Sequence, residues 1–167
     1  MDAITKAEYT HKYFWPEEGC EIITQVPIFF NYRNVECKSL LDGLIIDHNK
    51  RTIQPYDLKT SAWGVRNFRA VYRKFKYYTQ AAFYTYAVNQ HFKYEIGLED
   101  YYVLPFDFVV AGVKLGLEEY PAIYRVEPQD IVYGMERIDE AIEKYKWHIE
   151  TNKFEMTKEQ YDCSSIF

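Results

Sequence analysis

Strand-length stretches rich in β-branched, aromatic and aliphatic residues, separated by polar turns, fill residues 21–60, after which apolar positions recur at helical spacing. Residues 7–13 have the pattern of a short helix, ended before Trp15–Pro16. Residues 21–32 predict a first strand of β-branched and aromatic residues, with Pro27 placed at an edge or bulge. Residues 35–47, rich in Leu and Ile, and residues 52–60 predict two more strands, joined by the polar turn 48–51. After a break at 61–64, Val65, Phe68, Tyr72 and Phe75 fall on one helical face, and Arg66, Arg69, Arg73 and Lys76 repeat that spacing one residue on. Residues 77–92 are apolar nearly all round, the pattern of a helix buried on a sheet. Residues 93–100 predict a turn containing Gly97, and 101–114 and 122–126 two further strands. Pro128 opens a helix to about Asn152, whose stripe of Ile131, Met135, Ile138, Ile142, Tyr145 and Ile149 serves core packing or, alternatively, an oligomer seam. The tail from Lys153 is expected to be irregular. The predicted class is α/β of the α+β kind, a central mixed β-sheet of about five strands flanked by helices.

With 167 residues, 48% of them hydrophobic, the chain is expected to form one domain spanning 1–167, its first 20 residues poorly defined. A 19% aromatic content, including 17 Tyr, implies a core built on rings whose hydroxyls need partners. No apolar run approaches the roughly 20 residues of a membrane span, and the first residues are too polar for a signal peptide. An intracellular location with no membrane partner is the expectation. Three cysteines, Cys20, Cys37 and Cys163, are too few and too scattered for a zinc knuckle or a four-cysteine cluster, and are expected as reduced thiols, with Cys37 packing as a small apolar side chain. The net charge of −5 does not point to nucleic acid, but its distribution does. From Leu58 to Tyr94 there is no Asp or Glu, while Lys59, Arg66, Arg69, Arg73, Lys74, Lys76 and Lys93 all occur. The stripe Arg66, Arg69, Arg73, Lys76 is a candidate grip on a phosphate backbone; a solvated helix face is the alternative.

Side chains alternate across a strand, so Asp57 and Lys59 share one face, and Lys38, Leu40 and Asp42 share another. If the two strands pair with those faces aligned, Asp42, Asp57 and Lys59 converge. Two carboxylates beside one ammonium call for compensation, and hard oxygen ligands suit Mg²⁺ or Mn²⁺. Asp47 is the rival to Asp42, but its odd offset turns it to the other face unless a bulge intervenes, and it abuts a turn where Asp commonly bonds locally. Gln80 and Tyr84 are neighbours on one helical face, and a polar amide in so apolar a helix needs a partner, either in the site or on the backbone. His11 and Asp107 are expected as a surface imidazole and an edge or turn acid.

Three pieces together resemble the PD-(D/E)xK nuclease superfamily: Cys37–Lys38–Ser39–Leu40–Leu41–Asp42, Asp57–Leu58–Lys59–Thr60, and Gln80–Ala81–Ala82–Phe83–Tyr84. Within it the chain is most similar to the phage-type exonucleases of the exodeoxyribonuclease VIII and lambda-exonuclease group, over residues about 21–90. The resemblance implies a restriction-endonuclease-like core. Asp42 and Asp57, with the Leu58 carbonyl, would hold the metal. Lys59 would position or deprotonate the nucleophile, or stabilise developing charge, with Gln80 and Tyr84 in support. It also implies DNA as partner and, in that group, a strand-annealing recombination protein and sometimes a homo-oligomeric ring. Two departures stand out: Gln25 occupies the place where the group commonly has Glu, with Glu21 and Glu36 as candidate substitutes, and family members usually carry more chain before this point. The implied activity is metal-dependent hydrolysis of DNA phosphodiesters, exonucleolytic in mode. A weak or inactive DNA-binding or assembly module of the same fold, and a structure-specific endonuclease, are the alternatives.

Overall fold

The computed structural model describes residues 5, 7–92, 94, 98–113 and 120–164, the side chains of 163 and 164 excepted. Helix α1 (Glu8–His11) precedes strands β1 (Cys20–Tyr32), β2 (Val35–Asp47) and β3 (Thr52–Ser61). A 3₁₀ turn (Val65–Asn67) leads into α2 (Phe68–Lys74) and α3 (Tyr77–His91). Strands β4 (Tyr102–Val103), β5 (Asp107–Gly112) and β6 (Ala122–Arg125) then precede α4 (Pro128–Thr151) and α5 (Lys158–Ser164). The sheet runs β1-β2-β3-β5-β6, with β4 beside the start of β3. It is mixed: β3 is parallel to β4 and β5, and every other pair is antiparallel. The α+β class and the central mixed sheet flanked by helices are as the sequence predicts.

The main core lies between one sheet face and the helices, with Ile28, Leu41, Leu44, Ile53, Phe106, Phe108 and Val110 meeting Tyr72, Ala81, Ala87 and Val88. On the other face a smaller cluster of Tyr13, Ile45, Tyr56 and Val109 is covered by the segment that carries Tyr13. Helix α4 starts with Pro in its first turn, where a missing N–H costs nothing, and stops at Asn152 in the left-handed conformation (φ 52°). It crosses α3 closely at Gly134, where a Cβ would stand 2.4 Å from the Tyr78 carbonyl oxygen.

Four expectations change. Residues 101–114 are not one strand: Pro105 has no N–H for the ladder, and β4 and β5 lie on either side of it. Lys114, like Lys93 and residues 95–97 of the predicted turn, lies outside the described residues. The helix expected over 65–76 ends at Lys74, and Lys76 is left-handed (φ 55°). The tail is helical over α5, begun by a reciprocal cap: the Thr157 N–H donates to Gln160 Oε1 (2.8 Å) and the Gln160 N–H to Thr157 Oγ1 (3.3 Å). Finally, β2 does not alternate strictly along its length. Leu41 and Leu44 belong to the same core cluster although three residues apart, so alternation breaks between them; Ile23 and Val26 show the same break across the ladder.

That break sets up the site. Thr24 pairs with Gly43 and Val26 with Leu41, but the intervening Gln25 and Asp42 drop out of the ladder, Gln25 with φ 51°. Strand β2 pairs with β3 only from Gly43–Tyr56 to Asp47–Thr52. Beyond Tyr56, β3 pairs with β5 instead. The two strands therefore part at Asp42 and Asp57, leaving a fork open at the middle of the sheet.

Candidate active site

Asp42 turns into the fork from β2. Its Oδ2 accepts the Leu58 N–H (2.8 Å), and its Oδ1 lies 3.4 Å from the Gln25 amide nitrogen, a long, weak hydrogen bond. Gly43 beside it has no room for a side chain, because the buried Tyr56 ring occupies that space: a Cβ would sit 2.2 Å from Tyr56 Cζ. The Tyr56 hydroxyl donates to the Tyr13 carbonyl (2.8 Å), so the segment on the far face fixes the ring that fixes the Asp42 backbone. Burial, with the Asp42 charge adding to it, pushes the Tyr56 hydroxyl up to about 12.

Asp57 faces the helices. It is 3% exposed and accepts from Lys59 Nζ on Oδ2 and from Gln80 Nε2 on Oδ1 (2.8 Å). The Gln80 amide thus finds its partner in the carboxylate. Burial pushes the Asp57 carboxyl above its usual range; the Lys59 ammonium pulls it down, the Asp42 charge raises it and the Gln80 hydrogen bond lowers it. The Lys59 ammonium stands over the rings of Tyr77 (4.9 Å) and Phe108 (5.5 Å). Phe108 is the ladder partner of Asp57, which places its ring on the same face. Neither ring was a sequence candidate, although Tyr77 lies three residues before Gln80.

The structure thus brings Asp42, Asp57, Lys59, Gln80 and the Leu58 backbone to one place, and leaves other candidates out. Tyr84 packs its ring on Phe106 (6.1 Å), about one helical turn beyond Gln80, and serves the core. Glu21 lies 3.8 Å from the His48 ring and Glu36 lies at the β1–β2 turn end, so neither replaces the carboxylate that Gln25 lacks. Asp47 accepts from the Lys50 N–H (2.8 Å) and Lys50 Nζ (2.7 Å), the local turn bonding its position suggests. Asp107 is not an edge acid. It is 0% exposed, holds Arg125 through two hydrogen bonds of 2.9 Å and accepts from the Tyr13 hydroxyl (2.6 Å), behind the sheet. His11 is exposed, as expected. Arg66, Arg69, Arg73 and Lys76 are all exposed, but on three successive pieces of backbone rather than one straight stripe.

The donors fit a hard divalent cation. Asp42 has no ion pair with a described residue, and the Lys59 ammonium is committed to Asp57. A strand residue directs its N–H and C=O to the same edge, so the Leu58 carbonyl faces the fork as its N–H does. Among the described residues there is no group of three or more His, Cys, Asp and Glu. Two carboxylates and a carbonyl are what the fork offers, and ions of the Mg²⁺ type complete such partial shells with water and substrate phosphate.

No family model matches the sequence, and no curated protein is similar to it. A crystal structure of an Eubacterium rectale protein named "Putative exonuclease" matches with a TM-score of 0.62 at 17% identity, covering 96% of this chain and 55% of that one. The chain therefore spans about half the length of that protein, and at this identity the likeness shows the fold.

Proposed function

We propose that the chain is a metal-dependent deoxyribonuclease of the PD-(D/E)xK kind, exonuclease-like as in the phage-type group. The observation that carries this reading is the fork, where Asp42, Asp57 with its Lys59 partner, and the Leu58 backbone face one space. Mg²⁺ or Mn²⁺, when bound, supplies Lewis-acid polarisation of a phosphate oxygen and lowers the pKa of the attacking water. Asp42, Asp57 and the Leu58 carbonyl would hold the ion. Gln80 fixes the Asp57 carboxylate through one oxygen, which leaves its rotamer little freedom. Lys59, pressed on Tyr77 and Phe108, has few other places to put its ammonium, and from there it orients the nucleophile or offsets charge on the phosphate. Arg66, Arg69 and Arg73 supply backbone contacts to DNA. A strand-annealing partner and a ring assembly belong to this reading only through the family resemblance.

Wild-type protein is expected to degrade linear duplex DNA with Mn²⁺ and not in chelator. Asp57→Ala and Lys59→Ala are expected to lower the rate by about 10²–10³-fold. Retention of full activity in both variants would overturn the site. Closed circular DNA distinguishes the modes, since an exonuclease leaves it intact. The Gln25 amide beside Asp42, where a third carboxylate would strengthen metal binding, favours a second reading: a weak or inactive DNA-binding module. DNA binding without cleavage, with any metal or end structure, would select it.

A further inference from the structure

The aromatic contacts of Lys59 continue outward to the surface. Its neighbour Tyr77 stacks with Phe75 (centroids 5.9 Å apart, planes 27° apart), which is 57% exposed. Lys74 Nζ then bridges Phe75 (5.5 Å) and Trp63 (4.4 Å), and Trp63 is 50% exposed. Two large rings so open to water contribute little to the core. Yet the turn that carries Trp63 is held firmly. The Ser61 hydroxyl donates to the Gly64 carbonyl (2.9 Å), the Asn67 amide to the Trp63 carbonyl (2.7 Å), and Gly64 takes φ 85°. Both rings lie in the acid-free segment 58–94, interleaved with cations.

Rigid exposed rings interleaved with cations are what a single nucleic-acid strand requires, because every base has a π-face and every linkage a negative charge. We infer that Trp63 and Phe75 form a stacking platform for unpaired bases of the strand that leads to the fork. This rests on the nuclease reading for the strand's destination, but not for the stacking itself. The substrate class is then an end with unpaired nucleotides, single-stranded or frayed, rather than an intact duplex interior.

The experiment separates the two claims. Trp15→Phe and Trp147→Phe leave Trp63 as the only tryptophan, and its emission is followed in chelator, where no cleavage occurs. A short oligodeoxythymidylate is expected to quench it, and an abasic strand of the same length, with the same phosphates, is not. Phe75→Ala in that background, and Trp63→Ala in the wild type followed by anisotropy of a labelled oligonucleotide, are expected to weaken binding by about five- to a hundredfold. Trp63→Phe, which keeps a ring, is expected to restore most of it. Equal response to the abasic strand, or unchanged affinity in both alanine variants, overturns the platform even if the protein degrades DNA. An emission change that depends on protein concentration without nucleic acid also overturns it, since the patch is then a contact between copies. Quenching by bases in a protein that cleaves nothing sustains the platform and removes the nuclease reading.

Discussion

Replacing Lys59 by Met keeps the aliphatic stem against Tyr77 and Phe108 and removes only the charge. The side chains of Lys59 and Asp57 are 18% and 5% exposed, so solvent screens the pair weakly. Breaking a buried pair by removing one partner costs about 3–5 kcal/mol, because the other charge is left buried. Gln80 keeps its hydrogen bond to Asp57, and the carboxyl can take up a proton, which places the loss near the lower bound, about 3 kcal/mol. For a chain of this size that is a fall of about 6–12 °C in Tm. The sign of the pH dependence follows from the raised Asp57 pKa. Below the ordinary carboxylate range Asp57 is protonated both folded and unfolded; as pH rises from there through the raised folded value, the folded state must give up a proton it holds more tightly, and stability is lost. Without Lys59 the opposing pull is gone, so the folded value rises further and the variant loses more, over a window that extends to higher pH. Urea unfolding followed by circular dichroism, at acidic and neutral pH, measures both effects. Adding Asp57→Asn to Lys59→Met is expected to recover most of the loss at neutral pH, a coupling of about 2 kcal/mol. A loss below about 0.5 kcal/mol, the size of an exposed pair, or no recovery in the double variant, would refute the reasoning.

Gly134→Ala is expected to destabilise by about 1–3 kcal/mol in spite of alanine's better helix propensity, because the added Cβ would stand 2.4 Å from the Tyr78 carbonyl and 2.6 Å from Ala82 Cβ; a Tm at or above the wild type's contradicts this. Asp107→Asn is expected to cost about 3 kcal/mol and to raise amide exchange around Tyr13, since one buried carboxylate holds both Arg125 and the Tyr13 hydroxyl; unchanged exchange there contradicts the link. Gly43→Ala is expected to lower nuclease activity more than Gly134→Ala does, because the clash with the Tyr56 ring displaces Asp42 itself; equal effects on rate contradict that.

Most of the scaffold was legible because its signals are local. The bounds of β2 and of α4 follow from an apolar run closed by a polar turn, and from Pro128 and Asn152. The shared face of Asp57 and Lys59 follows from strand parity, and Gln80 is marked by its need of a partner in an apolar helix and by its place in the family resemblance. Strict parity failed within β2, where Leu41 and Leu44 lie in one core cluster although three residues apart. Such breaks depend on how two strands pair, here at Gln25 and Asp42, and single-strand periodicity does not contain them. Asp107 was misplaced for a similar reason, since its partners Arg125 and Tyr13 are 18 and 94 residues away. Tyr84 was carried by motif position, but its ring turns to Phe106. The helix in the tail was within reach, because Thr157 and Gln160 have the spacing of a reciprocal cap.

The proposed activity requires that the fork between β2 and β3 hold a cation. Crystals grown with Mn²⁺ test it through the metal's anomalous signal. A peak is expected about 2.1 Å from a carboxylate oxygen of Asp42, one of Asp57 and the Leu58 carbonyl oxygen. A fork without a peak at saturating Mn²⁺, or a peak that avoids Asp42 and Asp57, would contradict it.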